Sequence, residues 1–320
     1  MREEHFAEDY IPPYVSLVES GEFRERVRKL YSLTESCALC PRKCGVNRIA
    51  GGIGFCRVGA DLAVSSFGPH LGEEAPLVGA GGSGTIFLTS CNLDCIFCQN
   101  SDISHPSRAE IGRQTVERTD MVRMMLAPRM RGCHNINFVT PTHQVAQIMS
   151  AVEEAVKAGL RFPIVYNCGG YESLEVLRLL DGIVDIYMPD MKYGDNRPGE
   201  ELSGVPDYWD RNREAIREMH RQVGDLRLAD LREQPGYCVA IRGLLVRHLV
   251  LPEGLAHTEE VVRFLADEIS RDTYVNIMGQ YRPCSQAARD WRIARRPTAD
   301  EIMSARQAAR DAGLWRLDKG

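Results

Sequence analysis

A chain of 320 residues with 44% hydrophobic and 26% charged residues has the composition of an ordinary folded protein and enough material for a full-sized core. A net charge of −5 gives no sign of a nucleic-acid surface, and no apolar run approaches a membrane span. Eleven cysteines, an odd number grouped rather than spread as pairs, and a Met1–Asp9 stretch without the apolar core of a signal peptide place the chain in a reduced cytoplasm.

Residues 1 to about 30 read as an amphipathic lead-in, broken early by Pro12-Pro13 and carrying Phe23, Val27, Leu30 and Tyr31 at helical spacing. A cysteine group follows: Cys37, Cys40 and Cys44, then Cys56 beyond the glycines Gly51, Gly52 and Gly54. Four cysteines with a C-x-x-C opening suit a closed site for zinc or for an auxiliary [4Fe–4S] cluster, and the spacing does not choose between them. The plainer alternative is four unliganded, buried thiols. Residues 1–80 form an N-terminal extension on this reading, and the main domain covers 81–320. The glycine-rich run from Gly79 to Gly84 lacks the lysine of a phosphate loop and is expected to be a turn feeding the first strand.

That strand, 85–90, runs straight into Cys91-Asn-Leu-Asp-Cys95-Ile-Phe-Cys98. A C-x-x-x-C-x-x-C loop can wrap three thiolates around one corner of a [4Fe–4S] cube and leave one iron without a protein ligand. Structural zinc sites, the bland alternative, use four ligands on paired knuckles. An open metal position is what catalysis requires and what an electron carrier does not.

Downstream, short apolar runs alternate with amphipathic segments, the pattern of βα units around a parallel sheet. Strands are expected near 85–90, 135–140, 163–167, 183–188, 243–250 and 273–278, and helices near 114–130, 143–158, 172–181, 208–222, 258–270 and 299–312. The second helix shows a core face of Val145, Ile148, Met149, Val152 and Ala155, and the last opens on the capping pair Thr298 and Glu301. Six units fit a partial (β/α)6 barrel, whose ligands would lie at the carboxyl ends of its strands.

Several candidate residues stand at those ends. Thr140 and Thr142 offer hydroxyls and main-chain carbonyls; His143 either touches a ligand or only starts the next helix. Asn167 can hydrogen-bond a ribose or a carboxylate, and Gly169 and Gly170 allow close backbone approach, whereas Cys168 reads as packing. Asp190 and Lys192, two apart on a strand, share a face. The chain has only five lysines, which makes Lys192 conspicuous; a surface ion pair is the alternative. Arg247 lies inside an apolar strand, where it needs either a bound carboxylate or an ion pair to a neighbouring strand. His248 faces the other way and is structural. Gln280 and Tyr281 follow the sixth strand.

The triplet, with Phe97-Cys-Gln-Asn100, the Thr-Pro-Thr-His segment, Asp190-x-Lys192 and Leu245-Val-Arg247-His248, resembles the radical S-adenosylmethionine (SAM) superfamily. Within it, the chain resembles relatives of the pyruvate formate-lyase activases, the activators of glycyl-radical enzymes. The resemblance implies that the open iron chelates SAM and that reduction by a donor such as flavodoxin or ferredoxin yields a 5'-deoxyadenosyl radical. It implies Phe97 near the adenine, Lys192 and Arg247 at SAM as catalytic residues, and Asp190 with Met188 near a monovalent cation. Two departures matter: the Gly-Gly-Glu-Pro segment common in the superfamily is replaced around Thr140 and Thr142, and Asn167 stands where the activase branch has a cation-sharing aspartate. Activation of a glycyl-radical enzyme is the favoured function. Modification of another peptide or a small molecule, and a non-catalytic iron–sulfur electron carrier, are the alternatives.

Overall fold

The structure is a computed structural model that describes residues 6–127 and 131–318. The first five residues of the Met1–Asp9 stretch, the end of the helix expected over 114–130, and Lys319 lie outside the described residues.

A nine-stranded sheet is the frame. Six parallel strands stand side by side in chain order: β2 (Ser83–Leu88), β4 (Ile136–Val139), β5 (Ile164–Cys168), β6 (Ile186–Pro189), β8 (Cys238–Leu249) and β9 (Tyr274–Met278). These are the six strands expected from the apolar runs. Their apolar character follows from position: β5 and β6 are buried along their whole length, as parallel strands covered on both faces are. The sequence reading missed the antiparallel additions. β1 (Leu62–His70) pairs with β2 and, on its far side, with β3 (Thr115–Val116), while β7 (Arg227–Asp230) pairs with β8. β1 is hard to see because Gly68-Pro69 interrupts it and only its first three residues are buried.

Helices fill the connections. Before the sheet come α1 (Tyr14–Ser20) and α2 (Glu22–Glu35), which bury Tyr14, Phe23, Val27 and Leu30. The short α3 (Ala75–Val78), α4 (Ser101–Ser104) and α5 (Arg108–Arg113) flank the first parallel strand. Then follow α6 (Arg118–Leu126), α7 (Val145–Lys157), α8 (Leu174–Leu179), α9 (Asn196–Ser203), α10 (Tyr208–Val223), α11 (Thr258–Phe264, extended by a π turn to Ile269) and α12 (Ala299–Asp311). All five core-face residues expected of α7 are fully buried, and the Thr298–Glu301 capping box closes the start of α12. The glycine run is a turn, as expected, but a crowded one. A Cβ on Gly81 would stand 1.7 Å from the Gly132 carbonyl oxygen.

Candidate active site

At the carboxyl ends of the parallel strands the molecule opens into a cavity of about 1230 Å³. Sheet register explains which side chains reach it. Phe87, Val139 and Asn167 are lateral partners on β2, β4 and β5, and Asp190, Arg247 and Asn276 are lateral partners across β6, β8 and β9. All six line the cavity.

The loop after β2 brings Cys91, Cys95 and Cys98 onto the same wall. Ser90, at a φ of 76°, turns the chain out of the strand. The backbone N–H of Leu93 donates to Cys91 Sγ at 3.4 Å, while Cys95 Sγ meets Ser203 Oγ at 3.0 Å and Cys98 Sγ meets Ser104 Oγ at 3.1 Å. The main chain of this loop is pinned to the end of α9, with the N–H groups of Asp94 and Ile96 donating to the Ser203 and Leu202 carbonyls. Burial pushes the Cys91 and Cys95 thiols up, so as thiolates they need a positive centre beside them. Three such thiols sharing one open cavity fit an iron–sulfur cluster with a free coordination position. Among the described residues, no three His, Cys, Asp or Glu side chains are set to hold a single metal ion.

Facing the thiols, Lys192 Nζ donates to Asp190 Oδ2 at 2.5 Å, with both side chains less than a quarter exposed. The surface-pair alternative does not describe this arrangement. Burial works against the ammonium, but the charge of Asp190 and its hydrogen bond outweigh it and raise the Lys192 pKa. Arg247 also lies in the wall, and its ion pair runs to a loop and not to a neighbouring strand. Its Nε and Nη2 donate to the two carboxylate oxygens of Glu74 at 2.6 Å each, and Nη2 also reaches Glu73. Nη1 has only a long contact, 3.5 Å, to Asn167 Oδ1. The Asn276 amide completes the cluster on Glu74 at 2.9 Å. Burial alone would raise the Glu74 carboxyl; Arg247 and Asn276 bring it below its usual range.

Of the other expected residues, Phe97, Thr140, Gly169 and Gln280 line the cavity. Phe97 packs edge-on against Tyr281, whose hydroxyl is spent on the Ile293 carbonyl. Thr142 and Gly170 do not line it. Thr142 is fully buried and donates to Glu172 Oε1 at 2.8 Å, because the turn after Thr140 carries it inward. Gly170 (φ 75°) instead permits packing against β6: a Cβ there would stand 2.1 Å from the Asp190 carbonyl oxygen. Met188 is in the core among Val165, Ile186 and Leu245. His143 is buried against the Thr89 carbonyl and His248 against the Met191 carbonyl, and burial lowers both to a pKa of about 4.

Four contributors were not singled out from the sequence. Glu73 and Glu74 sit in a loop with no motif around them. Tyr208 and Asn212 lie one turn apart on α10: the Tyr208 hydroxyl donates to the Gly169 and Asp190 carbonyls, and the Asn212 amide to those of Gly170 and Asp190. Two polar residues at that spacing on the buried face of a helix were the available signal.

The described site is a cysteine-lined cavity at the carboxyl end of a mostly parallel α/β sheet. Residues 85–227, from β2 to the start of β7, match the model of the Radical SAM superfamily. The chain is also 32% identical over 288 residues to "Uncharacterized protein MJ0674" of Methanocaldococcus jannaschii, covering 88% of this chain and 77% of the relative. The chain carries a radical SAM superfamily domain over residues 85–227. Among known structures, one of TYW1 with a lysine-pyruvate adduct bound aligns over 71% of this chain and 73% of its own, at 11% identity and a TM-score of 0.37, too slight a likeness to argue from.

Proposed function

We propose that this protein is a glycyl-radical-enzyme activase-like radical SAM enzyme, with residues 81–320 as a partial (β/α)6 barrel and residues 1–80 as its cysteine-bearing extension. Superfamily membership implies a [4Fe–4S] cluster and SAM. Cys91, Cys95 and Cys98 would hold the cluster, and the pair, when bound and reduced by a one-electron donor such as flavodoxin or ferredoxin, supplies a 5'-deoxyadenosyl radical that abstracts hydrogen.

The residues of this chain would do the rest. Phe97 offers an apolar face to the adenine, and Thr140, Asn167 and Gly169 offer polar and main-chain contacts to the ribose and amino acid parts. Lys192 and the Nη1 of Arg247 are the cationic donors for the SAM carboxylate, with Asp190 holding Lys192 in place. Tyr208 and Asn212 fix the strand-end loops from which these groups project. The cavity wall would shield the radical from water.

The observation that carries a macromolecular target is the size and rim of the cavity. About 1230 Å³ exceeds what one drug-sized ligand fills. Leu71, Leu228 and Tyr237 line it while remaining 70%, 43% and 51% exposed. An apolar rim around a site with room for a second reactant suits an inserted polypeptide segment. The test is anaerobic incubation of the reduced, SAM-loaded protein with a purified glycyl-radical enzyme, followed by EPR. A glycyl doublet dependent on Cys98 is expected. SAM cleavage without any doublet across glycyl-radical enzymes from the same cell would move the target to another peptide or a small molecule.

A further inference from the structure

Cys37, Cys40, Cys44 and Cys56 are far apart in sequence from the catalytic triplet, yet all four line one small cavity of about 10 Å³, together with Arg48, Asn92 and His143. The turn that gathers them is held by its own backbone: Cys37 and Val46 are joined N–H to carbonyl at 2.9 Å, Gly45 N–H returns to the Cys37 carbonyl at 3.1 Å, and Phe55 N–H points at Cys44 Sγ at 3.5 Å.

Two further features fit a negatively charged, metal-bearing occupant. Arg48 is 1% exposed, and its three donor contacts are all to neutral carbonyls, Gly59 at 2.9 and 2.6 Å and His143 at 2.6 Å. Among the described residues it has no carboxylate partner, and a buried cation without a counter-charge is strongly unfavourable. His143 is 2% exposed. Its Nε2 faces the Thr89 carbonyl at 2.8 Å and so carries the proton, which leaves a buried lone pair on Nδ1 with no hydrogen-bond partner. An imidazole that donates through one nitrogen and presents the other unpaired is the arrangement found at metal centres.

The grouping selects the kind of centre. A zinc ion holds each of its thiolates at about 2.3 Å, and among the described residues no three Cys, His, Asp or Glu side chains are gathered closely enough to share one metal ion. The four thiols nevertheless line one cavity, so they are set for a larger body whose separate corners each take a sulfur. We propose that Cys37, Cys40, Cys44 and Cys56 bind a second iron–sulfur cluster, closed by four cysteines, whose negative charge is balanced by the buried Arg48.

This centre touches the loop that carries the first. Ser90, which precedes Cys91, donates to the Cys56 carbonyl, and Arg42 donates to the Asn92 carbonyl at 2.5 Å while its guanidinium lies 3.4 Å over the Phe55 ring. The Asn92 side chain lines the small cavity, and its Oδ1 stands 3.8 Å from Cys91 Sγ while its amide donates to the Tyr171 carbonyl at 2.9 Å.

The test is iron, acid-labile sulfide and zinc analysis of anaerobically reconstituted protein, with Mössbauer spectra. Wild type should hold about eight irons and about eight sulfides per chain, two clusters of four. Removing the catalytic thiols (C91A/C95A/C98A) should leave about four of each, in a [4Fe–4S] spectrum, and this variant keeps the test decisive if C40S/C56S does not fold. Where C40S/C56S does fold, it should lose half the iron. Arg48→Met should shift the midpoint potential of the remaining cluster in the triple variant downward, because a positive charge that favours the added electron is gone. A triple variant that holds no iron, or that holds one zinc in its place, would overturn the assignment.

Discussion

The ion pair between Arg247 and Glu74 joins β8 to the loop before α3 and can be taken apart without touching a thiol. Glu74→Ala removes two charge-assisted hydrogen bonds of 2.6 Å from a guanidinium that is largely buried, and leaves the Asn276 amide without its acceptor. Breaking a buried pair on one side costs about 3–5 kcal/mol. Glu73 still faces Arg247, so the low end, about 3 kcal/mol, is expected. Replacing both partners by apolar residues of similar volume (E74L/R247M) should cost less than the sum of the single changes, because the guanidinium is not left stranded and Glu73 keeps its contact with His70 Nδ1 at 3.1 Å. A urea-unfolding double-mutant cycle reads the difference directly, with a coupling of about 2 kcal/mol or more expected for groups in contact. The pH dependence has a definite sign. The folded-state carboxyl lies below its ordinary value of 4.5, so the pair stabilises the fold above that value and its contribution fades as the pH falls below it. Single variants whose costs simply add, or a Glu74→Ala cost within about 0.5 kcal/mol of zero, would refute the reasoning.

Other outcomes follow from the same structure. Glu172, fully buried and raised by that burial to a pKa of about 8, is neutral in the fold and charged in the unfolded chain between about pH 4.5 and 8. It therefore makes stability fall across that window, and Glu172→Gln should flatten the fall, gaining about 1–3 kcal/mol at pH 8 in urea titrations run at several pH values. Gly170→Ala forces a Cβ to within 2.1 Å of the Asp190 carbonyl oxygen at a φ of 75° and should lower the melting temperature and displace Lys192, read as weaker SAM binding by calorimetry. Thr298→Ala removes one half of the α12 capping box and should cost about 1 kcal/mol in thermal unfolding while leaving SAM binding unchanged.

What the sequence revealed and what it hid have physical reasons. The six parallel strands were legible because strands covered on both faces must be apolar throughout, and the helices between them because each shows one buried stripe. The triplet was legible because three thiols at that spacing have few other uses. β1 and β7 were not, since each is largely exposed along its length and carries a mixed sequence. Glu73 and Glu74 escaped for a different reason: a carboxylate pair in a loop is ordinary until the fold sets Arg247 against it. The same holds for Arg48, one arginine among many until its burial against neutral carbonyls sets it apart. Thr142 and Gly170 looked like ligand contacts because they stand beside residues that line the cavity; the turn and the left-handed backbone direct them into the scaffold instead.

Release of 5'-deoxyadenosine tests the central claim most directly. Reconstituted protein, reduced without oxygen and given SAM, should produce it, and Cys95→Ala, loaded and reduced in the same way, should not. Lys192→Met should retain its iron yet bind SAM more weakly. Equal 5'-deoxyadenosine from wild type and Cys95→Ala, or a reduced wild-type cluster that yields none and whose EPR spectrum does not respond to SAM, would contradict the assignment of this cavity as a radical SAM site.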